Sequence, residues 1–475
     1  MASKTRVPFI PLSYRNSTAQ ESDETARALI HALRPEWDGE DGKLEFVRFT
    51  DGITNTEANS WCVVQLMKAI KLKPGLSSSE VDSEAILLRA YGEGTDILID
   101  RNRELLSHSL LADHSLAPAL LARFSNGLLY RFIIGTVCSP ADLRKPPVYH
   151  AVARRLAEWH TKLPVPPASS ALSINKSLNG SAKPGTNTER AASPFDRLVN
   201  DHANILDAPT PNLWTVLQGW VTALPCHKEE DCTQRTALQR ELAWLVETFG
   251  QFRPLVFAHC DLLSGNVIVL PKGVSSIATG PSSTTRSSTD SRSTSPSSTP
   301  KSTSSSAPTH VSAAVPEETI DELRDTHVTF IDYEYATPAP ASFDLANHFA
   351  EWGGFDCDYS VLPTRRQRRD FLRSYLTSVR AFSPGASVAA DAQTNPEEEL
   401  DRLTQEVDLF RGLPGFYWGI WALIQAQISQ IDFDYAEYAI VRLQEYWDWK
   451  KSAYPTVEGR GKADSLRERR WQEEE

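Results

Sequence analysis

Short apolar runs separated by turn residues fill the first third of the chain. Runs of this kind predict strands, and we expect strands at 45–50, 59–67, 86–91, 119–124 and 127–135. Residues 104–114 instead place leucines at helical spacing and predict one helix among the strands. The preceding segment, 1–40, is mixed and contains a candidate short helix at 24–33. The pattern therefore predicts a β-rich N-terminal part.

The apolar spacing becomes helical from about residue 140 onward. Residues 148–160 have an amphipathic pattern, and residues 343–352 place their large apolar side chains on one side of a helix. Another helix is expected to start after Pro414, and both this helix and the next carry aromatic residues three or four positions apart. Together the two parts predict an α+β fold whose C-terminal portion is mostly helical.

Three polar segments interrupt this pattern, near 164–195, 273–318 and 382–396. The second is a Ser/Thr/Pro tract with almost no aliphatic residues. Such a segment buries too little apolar area to offset its chain entropy, so we expect disorder there. Because loop-closure entropy grows only slowly with length, an insert of this kind is tolerated at a surface turn.

Composition narrows the classes of function. The chain has 475 residues, a net charge of −12 and a pI near 5.5, which argues against nucleic acid or an anionic membrane as its main partner. It has no apolar run of membrane-spanning length and no N-terminal signal-peptide pattern. The six cysteines contain no C-x-x-C pair and are expected to be reduced, in a cytoplasmic protein without integral membrane contact.

The candidate chemistry lies in two short motifs, His259-Cys-Asp261-Leu-Leu-Ser-Gly-Asn266 and Phe330-Ile-Asp332. The spacing of Asp261 and Asn266 is that of a kinase catalytic loop. Residues 267–269 and 327–331 have the composition of two strands. We expect them to form a hairpin that brings Asn266 and Asp332 side by side.

These residue types suit phosphoryl transfer to an alcohol. Asp261 would accept or orient the hydroxyl proton, while Asn266 and Asp332 would supply oxygen ligands for Mg²⁺. The alternative is that each carboxylate is a solvated loop residue. The position of Asp332 at the end of an apolar β run favours the site.

The chain resembles the choline/ethanolamine kinase family from about Phe46 to Trp449, interrupted by the three polar segments. The matching segments are 49–55, 86–104, 120–135, 259–266, 330–335, 343–352 and 417–429. Some of them, including 94–101, look most like ethanolamine kinases. The resemblance implies a bilobal protein-kinase-like fold. Its parts are an N-terminal extension (1–40), a small nucleotide-binding lobe (41–135), a helical catalytic and substrate lobe (136–455) and a charged C-terminal tail (456–475).

The resemblance also implies ATP and Mg²⁺ as cofactors and assigns nucleotide-binding positions. Arg89 would contact the α- and β-phosphates, with Glu104 as its ion-pair partner. Glu334 would either bind the metal through water or have a structural role. The remaining implied nucleotide contacts are the phosphate-covering turn and the adenine hinge, namely Gly52, Thr54, Asn55, Arg131, Phe132 and Ile133.

An acceptor pocket is implied by the aromatic residues and one acid. Stripes of aromatic residues at helical spacing often belong to a core. Here, however, the resemblance places three residues of these stripes, together with Tyr335, around a cationic amine, namely Trp418, Trp421 and Tyr438. Glu351 would face the ammonium group of the substrate. Asp344 is expected to brace the catalytic loop through backbone hydrogen bonds.

The expected function is ATP-dependent phosphorylation of ethanolamine to phosphoethanolamine, the first step of the CDP-ethanolamine route to phosphatidylethanolamine. Choline kinase or a dual-specificity enzyme is the nearest alternative, and an aminoglycoside-type kinase is more distant. A protein kinase is disfavoured because Cys260 replaces the expected arginine. A non-catalytic scaffold is opposed by the retention of Asp261, Asn266 and Asp332. A small-molecule amino alcohol is thus the expected partner, and a homodimer is left open.

Overall fold

The structure is a computed structural model. It describes the ranges 7–39, 42–49, 65–91, 98, 100–165, 211–274, 325–383, 395–429, 431–454 and 464–475. The three polar segments lie almost entirely outside these residues, as does the turn with Gly52, Thr54 and Asn55. The expectations for those segments and for that turn therefore remain predictions.

The N-terminal part contains a six-stranded sheet in the order β1-β5-β6-β4-β3-β2, counted over the described residues. Its strands are β1 (Phe9–Ile10), β2 (Lys43–Phe49), β3 (Gln65–Leu72), β4 (Ile86–Ala90), β5 (Leu120–Phe124) and β6 (Gly127–Arg131). The pairing of β1 with β5 is parallel and the other pairings are antiparallel. The β-rich small lobe expected from the sequence is confirmed.

The first residues of the chain contribute to this lobe. Helix α1 (Ala19–Leu33) follows β1, and Thr18 caps it by accepting a hydrogen bond from the Glu21 amide. Ala26, Leu29 and Ile30 are fully buried against the sheet. The small lobe therefore extends before residue 41, into the segment expected to be an extension.

Two capped helices lie between the strands. Helix α2 (Ser78–Glu84) starts with a reciprocal capping box between Ser77 and Glu80. Helix α3 (Arg101–Asp113) is capped by Asp100. The Asp100 carboxylate accepts hydrogen bonds from the amides of Asn102 and Arg103, at 3.0 and 3.2 Å. This start places Glu104 in the first turn of α3, with its side chain buried.

The rest of the described chain is mainly helical, as expected. Its helices are α4 (Pro140–Leu143), α5 (Pro146–Lys162), α6 (Leu213–Ala223), α7 (Glu229–Phe249), α8 (Ala341–Ala350), α9 (Arg365–Phe382), α10 (Pro396–Phe410), α11 (Leu413–Ile428), α12 (Tyr435–Ala453) and α13 (Leu466–Gln472). Short 3₁₀ turns cover Pro35–Asp38, Ser264–Asn266, Glu351–Gly353 and Tyr359–Val361. The apolar faces of helices α4–α13 meet in one core that includes Trp159, Trp352 and Trp449.

Helices α11 and α12 approach each other closely because glycines face the contact. A Cβ atom on Gly415 would lie 2.5 Å from the Arg442 carbonyl oxygen, and one on Gly419 would lie 2.7 Å from the Leu443 side chain. Any larger residue would push the helices apart. The glycines thus fix the spacing of the two helices that carry the candidate aromatic residues.

Two small sheets complete the described structure. Strands β7 (Thr136–Val137), β9 (Val267–Val269) and β10 (Val328–Phe330) form one in the order β10-β9-β7. Strands β8 (Leu255–Ala258) and β11 (Thr337–Pro340) form the other. The catalytic-loop motif therefore begins directly after β8 and ends directly before β9.

The cysteine expectation was wrong for one pair. Cys226 and Cys232 form a disulfide whose Cα atoms are 4.4 Å apart. The loop between α6 and α7 holds Cys226, and the first turn of α7 holds Cys232, so the turn between the two helices brings them together. This spacing is not a recognised motif, which is why the sequence did not indicate the bond. Among the described residues, Cys138, Cys260 and Cys357 are free thiols.

The C-terminal segment ends in a docked helix. Trp471 of α13 is buried, and its indole nitrogen donates to Asp408 at 2.7 Å. The Arg368 guanidinium lies 4.0 Å from the centre of the Trp471 ring. Over the described residues, no helix is both long and apolar enough to cross a membrane.

Candidate active site

The two candidate motifs meet through the predicted hairpin. Strands β9 and β10 are antiparallel, with Val267 opposite Phe330. Beyond the pairing, the Ile331 amide donates to the Asn266 carbonyl oxygen at 3.0 Å. Asn266 and Asp332 therefore lie at the same end of the hairpin, as the sequence predicted.

Asp261 and Asn266 are joined directly. The Asn266 side-chain amide donates to the Asp261 carbonyl oxygen at 2.8 Å and to its carboxylate at 3.0 Å. Burial raises the pKa of Asp261 well above its ordinary value, and the negative charges of Asp332, Glu351 and Glu334 raise it further. The structure thus gathers several carboxylates around the candidate base.

Asp344 braces the catalytic loop, as expected. Its two carboxylate oxygens accept hydrogen bonds from the amides of His259 and Cys260 at 2.9 and 2.8 Å. The ring of His160 in α5 also bonds Asp344 at 2.9 Å. Burial alone would raise the pKa of Asp344, but His160 and these other partners hold it below its ordinary value.

The same face of α8 makes two more contacts to the loop. Asn347 donates to the Cys260 carbonyl at 2.9 Å, and a ring nitrogen of His348 lies 2.8 Å from the Leu262 carbonyl. The spacing of Asp344, Asn347 and His348 places all three on one side of the helix. This spacing was the signal that sequence reasoning did not use.

Two site residues have backbone conformations that ordinary side chains rarely adopt. Cys260 has φ 64° and Asp332 has φ 63°. Such positions cost roughly 1–3 kcal/mol each and persist where the surroundings hold them. Here the Asp344 carboxylate holds Cys260 by accepting a hydrogen bond from its amide. A ring nitrogen of His259 bonds the carbonyl of Ile331, the residue before Asp332, at 3.1 Å.

Arg89 lies at the centre of a buried ion-pair cluster. Its guanidinium is 3.5 Å from the Glu104 carboxylate, so the expected ion pair is present. It also binds Asp332 at 2.7 Å and Glu334 at 2.5 Å, which the sequence did not indicate. Burial alone would lower the pKa of Arg89, but the three carboxylates raise it well above its ordinary value. Arg101 joins the cluster through Glu104 and Glu334, at 3.2 and 3.7 Å.

The donor set fits Mg²⁺ if phosphate oxygens complete it. Among the described residues, no group of three His, Cys, Asp or Glu side chains could hold a metal by itself. Asn266 and Asp332 offer one amide oxygen and one carboxylate, and Glu334 offers a second carboxylate. Mg²⁺ is usually bound by one or two carboxylates together with water and substrate phosphates. The observed set matches that preference.

The expected hinge connects the two lobes. Strand β6 ends at Arg131, and the Phe132 amide donates to the Ala85 carbonyl at 3.0 Å. The next residue, Ile133, belongs to a small apolar cluster that includes residues in or directly after β9 and β10. Its other members are Ile268, Leu270 and Ile331. Sequence reasoning missed this cluster, although the apolar run after Asn266 contained its signal.

Three of the four expected aromatic residues are in contact. The Trp421 indole donates to the Tyr335 hydroxyl at 2.8 Å, and the rings of Trp418 and Trp421 are 5.5 Å apart. Tyr335 also lies 5.7 Å from Trp418 and 6.2 Å from Trp220. All are buried in the core of the helical lobe. Trp220 of α6 was not foreseen because its segment has no matching motif.

Glu351 and Tyr438 lie at the edge of this aromatic cluster. The Arg442 guanidinium is 3.6 Å from the Glu351 carboxylate and 5.8 Å from the centre of the Tyr438 ring. Tyr438 also contacts the ring of Phe355, at 5.9 Å. Burial raises the pKa of Glu351 to about 7, although the positive charge of Arg442 opposes the rise. The Trp418 indole nitrogen donates to the side-chain oxygen of Asn347 at 3.0 Å. The buried acid is therefore adjacent to both the aromatic cluster and a cation.

Comparison with known proteins identifies the family. The sequence model of the choline/ethanolamine kinase family matches residues 47–447, which include every candidate site residue. The chain belongs to this family. The bilobal protein-kinase-like fold expected from the resemblance is confirmed by that match and by solved relatives.

Known relatives align with most of this chain. Human "Ethanolamine kinase 1" is 28% identical over 94% of this chain and 75% of the relative. Human "Ethanolamine kinase 2" is 29% identical over 90% of this chain and 81% of the relative. The solved Plasmodium vivax ethanolamine kinase superimposes with a TM-score of 0.57 at 20% identity, over 90% of this chain and 89% of the other. A Cryptosporidium parvum choline kinase gives 0.51 at 18% identity, over 90% and 96%.

Proposed function

We propose that this family member transfers the terminal phosphoryl group of ATP to the hydroxyl of ethanolamine, giving phosphoethanolamine. The observation that carries the proposal is the position of Glu351. It is a buried carboxylate that pairs with Arg442 at the edge of the aromatic cluster, and its charge raises the pKa of Asp261. The carboxylate that would bind the amine, Glu351, and the base for the hydroxyl, Asp261, are therefore close enough to interact electrostatically.

The chemistry of the pocket favours a small amino alcohol. A primary ammonium has three N–H donors and needs acceptors, which Glu351 supplies. Aromatic faces attract the same cation by roughly 0.5–2 kcal/mol each. Several relatives carry the name ethanolamine kinase, which supports ethanolamine over other amines. The product would enter the CDP-ethanolamine route to phosphatidylethanolamine.

In this mechanism Asp261 orients the substrate hydroxyl and accepts its proton. Asn266 and Asp332 would hold Mg²⁺, with Glu334 beside them, and the bound ion would offset charge on the phosphoryl oxygens. Arg89, which binds Asp332 and Glu334 in the structure, is the cation that we propose for the α- and β-phosphates. A substrate ammonium at Glu351 would neutralise one of the charges that raise the pKa of Asp261. Amine binding would therefore make Asp261 a more fully ionised proton acceptor.

Quaternary amines are the main competitor. Aromatic faces also attract a trimethylammonium group, and one of the solved relatives is a choline kinase. Choline has no N–H donor for Glu351, however, and a buried acceptor left without a donor lowers affinity. We therefore propose a preference for ethanolamine, with choline as the second substrate.

The test is ATP consumption by the purified full-length protein. Ethanolamine, choline and an aminoglycoside would be compared in parallel, each with Mg²⁺ and with chelator. We expect turnover that depends on Mg²⁺ and a higher kcat/KM for ethanolamine than for choline. A higher kcat/KM for choline would show that choline, and not ethanolamine, is the preferred substrate. Turnover with the aminoglycoside alone, or with none of the three, would overturn the proposal.

A further inference from the structure

A line of buried charges connects the acceptor carboxylate with the C-terminal helix. It alternates in sign and runs through six side chains, namely Glu351, Arg442, Glu445, Arg467, Glu468 and Arg411. The successive N–O distances are 3.6, 3.5, 3.7, 3.3 and 2.6 Å. Helix α13, which supplies Arg467 and Glu468, is thereby linked to the pocket at Glu351.

At the pocket end of this line, several polar atoms of the ion pairs make no hydrogen bond. Among the described residues, Oε1 of Glu351, Oε2 of Glu445, and Nε and Nη2 of Arg442 are buried without a hydrogen-bond partner. Buried polar atoms are usually satisfied, and buried ion pairs add little net stability. Stability alone is therefore a poor reason for this arrangement, and a role at the adjacent site explains it better.

A cation beside the amine site has a specific consequence. Arg442 pairs with Oε1 of Glu351 at 3.6 Å and so fixes the direction of the carboxylate. It also favours the ionised form of Glu351, the form that binds an ammonium group. Glu445 offsets the charge of Arg442 at 3.5 Å, which limits its repulsion of a cationic substrate.

We propose that Arg442 is a positioning residue for the acceptor carboxylate Glu351, and that helix α13 holds Arg442 in place through Arg467 and Glu445. This inference rests on the proposed function, because it takes the Glu351 site to be the amine site. It adds a role for the C-terminal helix, which lies outside the region matched by the family model.

The inference predicts a pH signature. Burial raises the pKa of Glu351 to about 7, and Arg442 lowers it. Amine binding should therefore strengthen as the pH rises through about 7, and without Arg442 the same change should occur at higher pH. Among the described residues, the other groups that interact with Glu351 or Arg442 include Glu445, Trp418, Asp261, Cys357, Tyr359 and Tyr438.

The experiment compares four single variants of the full chain. Arg442→Met removes the positive charge. Arg442→Lys keeps the charge but loses the planar guanidinium group. Arg467→Met interrupts the line of charges at α13. Arg470→Met is the matched control, because Arg470 is on the same helix and anchors it to the Leu362 carbonyl at 3.0 Å. Thermal unfolding identifies the variants that fold.

Four quantities are measured for each variant between pH 6 and 9. They are the calorimetric Kd for ethanolamine, and the KM values for ethanolamine and ATP together with kcat. For Arg442→Met we expect ethanolamine Kd and KM to rise roughly tenfold or more, since truncating one partner of a buried charge pair is costly. The ATP KM should change little. Arg467→Met should give a smaller rise, and Arg442→Lys should recover part of the affinity.

The outcomes separate this inference from the proposed function. Folded Arg442→Met with the wild-type ethanolamine Kd, or with an unmoved pH profile, would overturn the inference while leaving the function intact. An equal rise of the ethanolamine Kd in Arg470→Met and Arg467→Met would show that the line of charges has no specific role. Wild-type protein that binds ethanolamine without turnover would refute the function, and the Kd series would still decide the inference. No amine binding by the wild type would refute both.

Discussion

Replacing Asp344 with asparagine tests how the catalytic loop is held. Asp344 is buried, and it accepts from the amides of His259 and Cys260 at 2.9 and 2.8 Å while bonding His160 at 2.9 Å. Asparagine keeps one acceptor oxygen and turns an amide group toward the second N–H donor. A hydrogen bond to a charged group contributes about 1.5–3 kcal/mol, and a buried donor left unpaired costs about as much again. We therefore expect the free energy of unfolding to fall by roughly 2–4 kcal/mol.

The activity should fall as well, because Asp261 follows the braced amides directly. A displacement of about 1 Å in a catalytic group can cost about 100-fold in rate. We expect kcat to drop by that order while the ATP and ethanolamine KM values change much less. Denaturant unfolding followed by tryptophan fluorescence measures the stability, and steady-state kinetics measures kcat.

The control is Asp358→Asn at the exposed cap of the turn Tyr359–Val361, where the Asp358 carboxylate accepts from the Ser360 amide at 2.9 Å. Asparagine and aspartate are similar caps, so this variant should behave as wild type. If Asp344→Asn also kept the wild-type stability and kcat, the brace would have no role and the reasoning would fail.

Two further changes test other parts of the site. Glu351→Gln should raise the ethanolamine KM more than the ATP KM, and should abolish the gain in ethanolamine affinity that we expect as the pH rises through about 7. Equal changes in both KM values would place Glu351 outside the amine pocket. Replacing residues 275–324 by a short turn should leave kcat nearly unchanged, because β9 and β10 pair directly and the Leu270 amide bonds the His327 carbonyl at 2.9 Å. Loss of activity in a folded deletion variant would show that the segment is functional.

The sequence predicted elements best where one local pattern decides the structure. The hairpin of β9 and β10 followed from two apolar β runs, and the helix carrying Glu104 followed from leucine spacing. Helix bounds moved by a few residues because caps such as Asp100 decide where a helix starts.

Long-range contacts were harder to foresee. Arg89 was paired with Glu104 from its position in the family pattern, but its contacts with Asp332 and Glu334 join residues more than 240 positions apart. The disulfide of Cys226 and Cys232 was missed because only the turn between two helices brings these thiols together.

The docking of the C-terminal segment was also invisible in the sequence. Its composition indicated only a charged tail, since most of its residues are charged. The buried side of α13 depends on Trp471 and on partners such as Arg368 in α9. A short helix with one large apolar residue gives too little periodicity to predict its docking.

The central claim is that Asp261 is the base of a phosphoryl-transfer site, and Asp261→Asn tests it most directly. Burial and neighbouring charges raise the pKa of Asp261, so its ionised form destabilises the fold above the pKa of an unfolded aspartate. We therefore predict that the variant loses about 10²–10⁴ in kcat for ethanolamine, the usual range for a general base. Its thermal stability at neutral pH should stay the same or increase. A folded Asp261→Asn protein with nearly wild-type turnover would contradict the account.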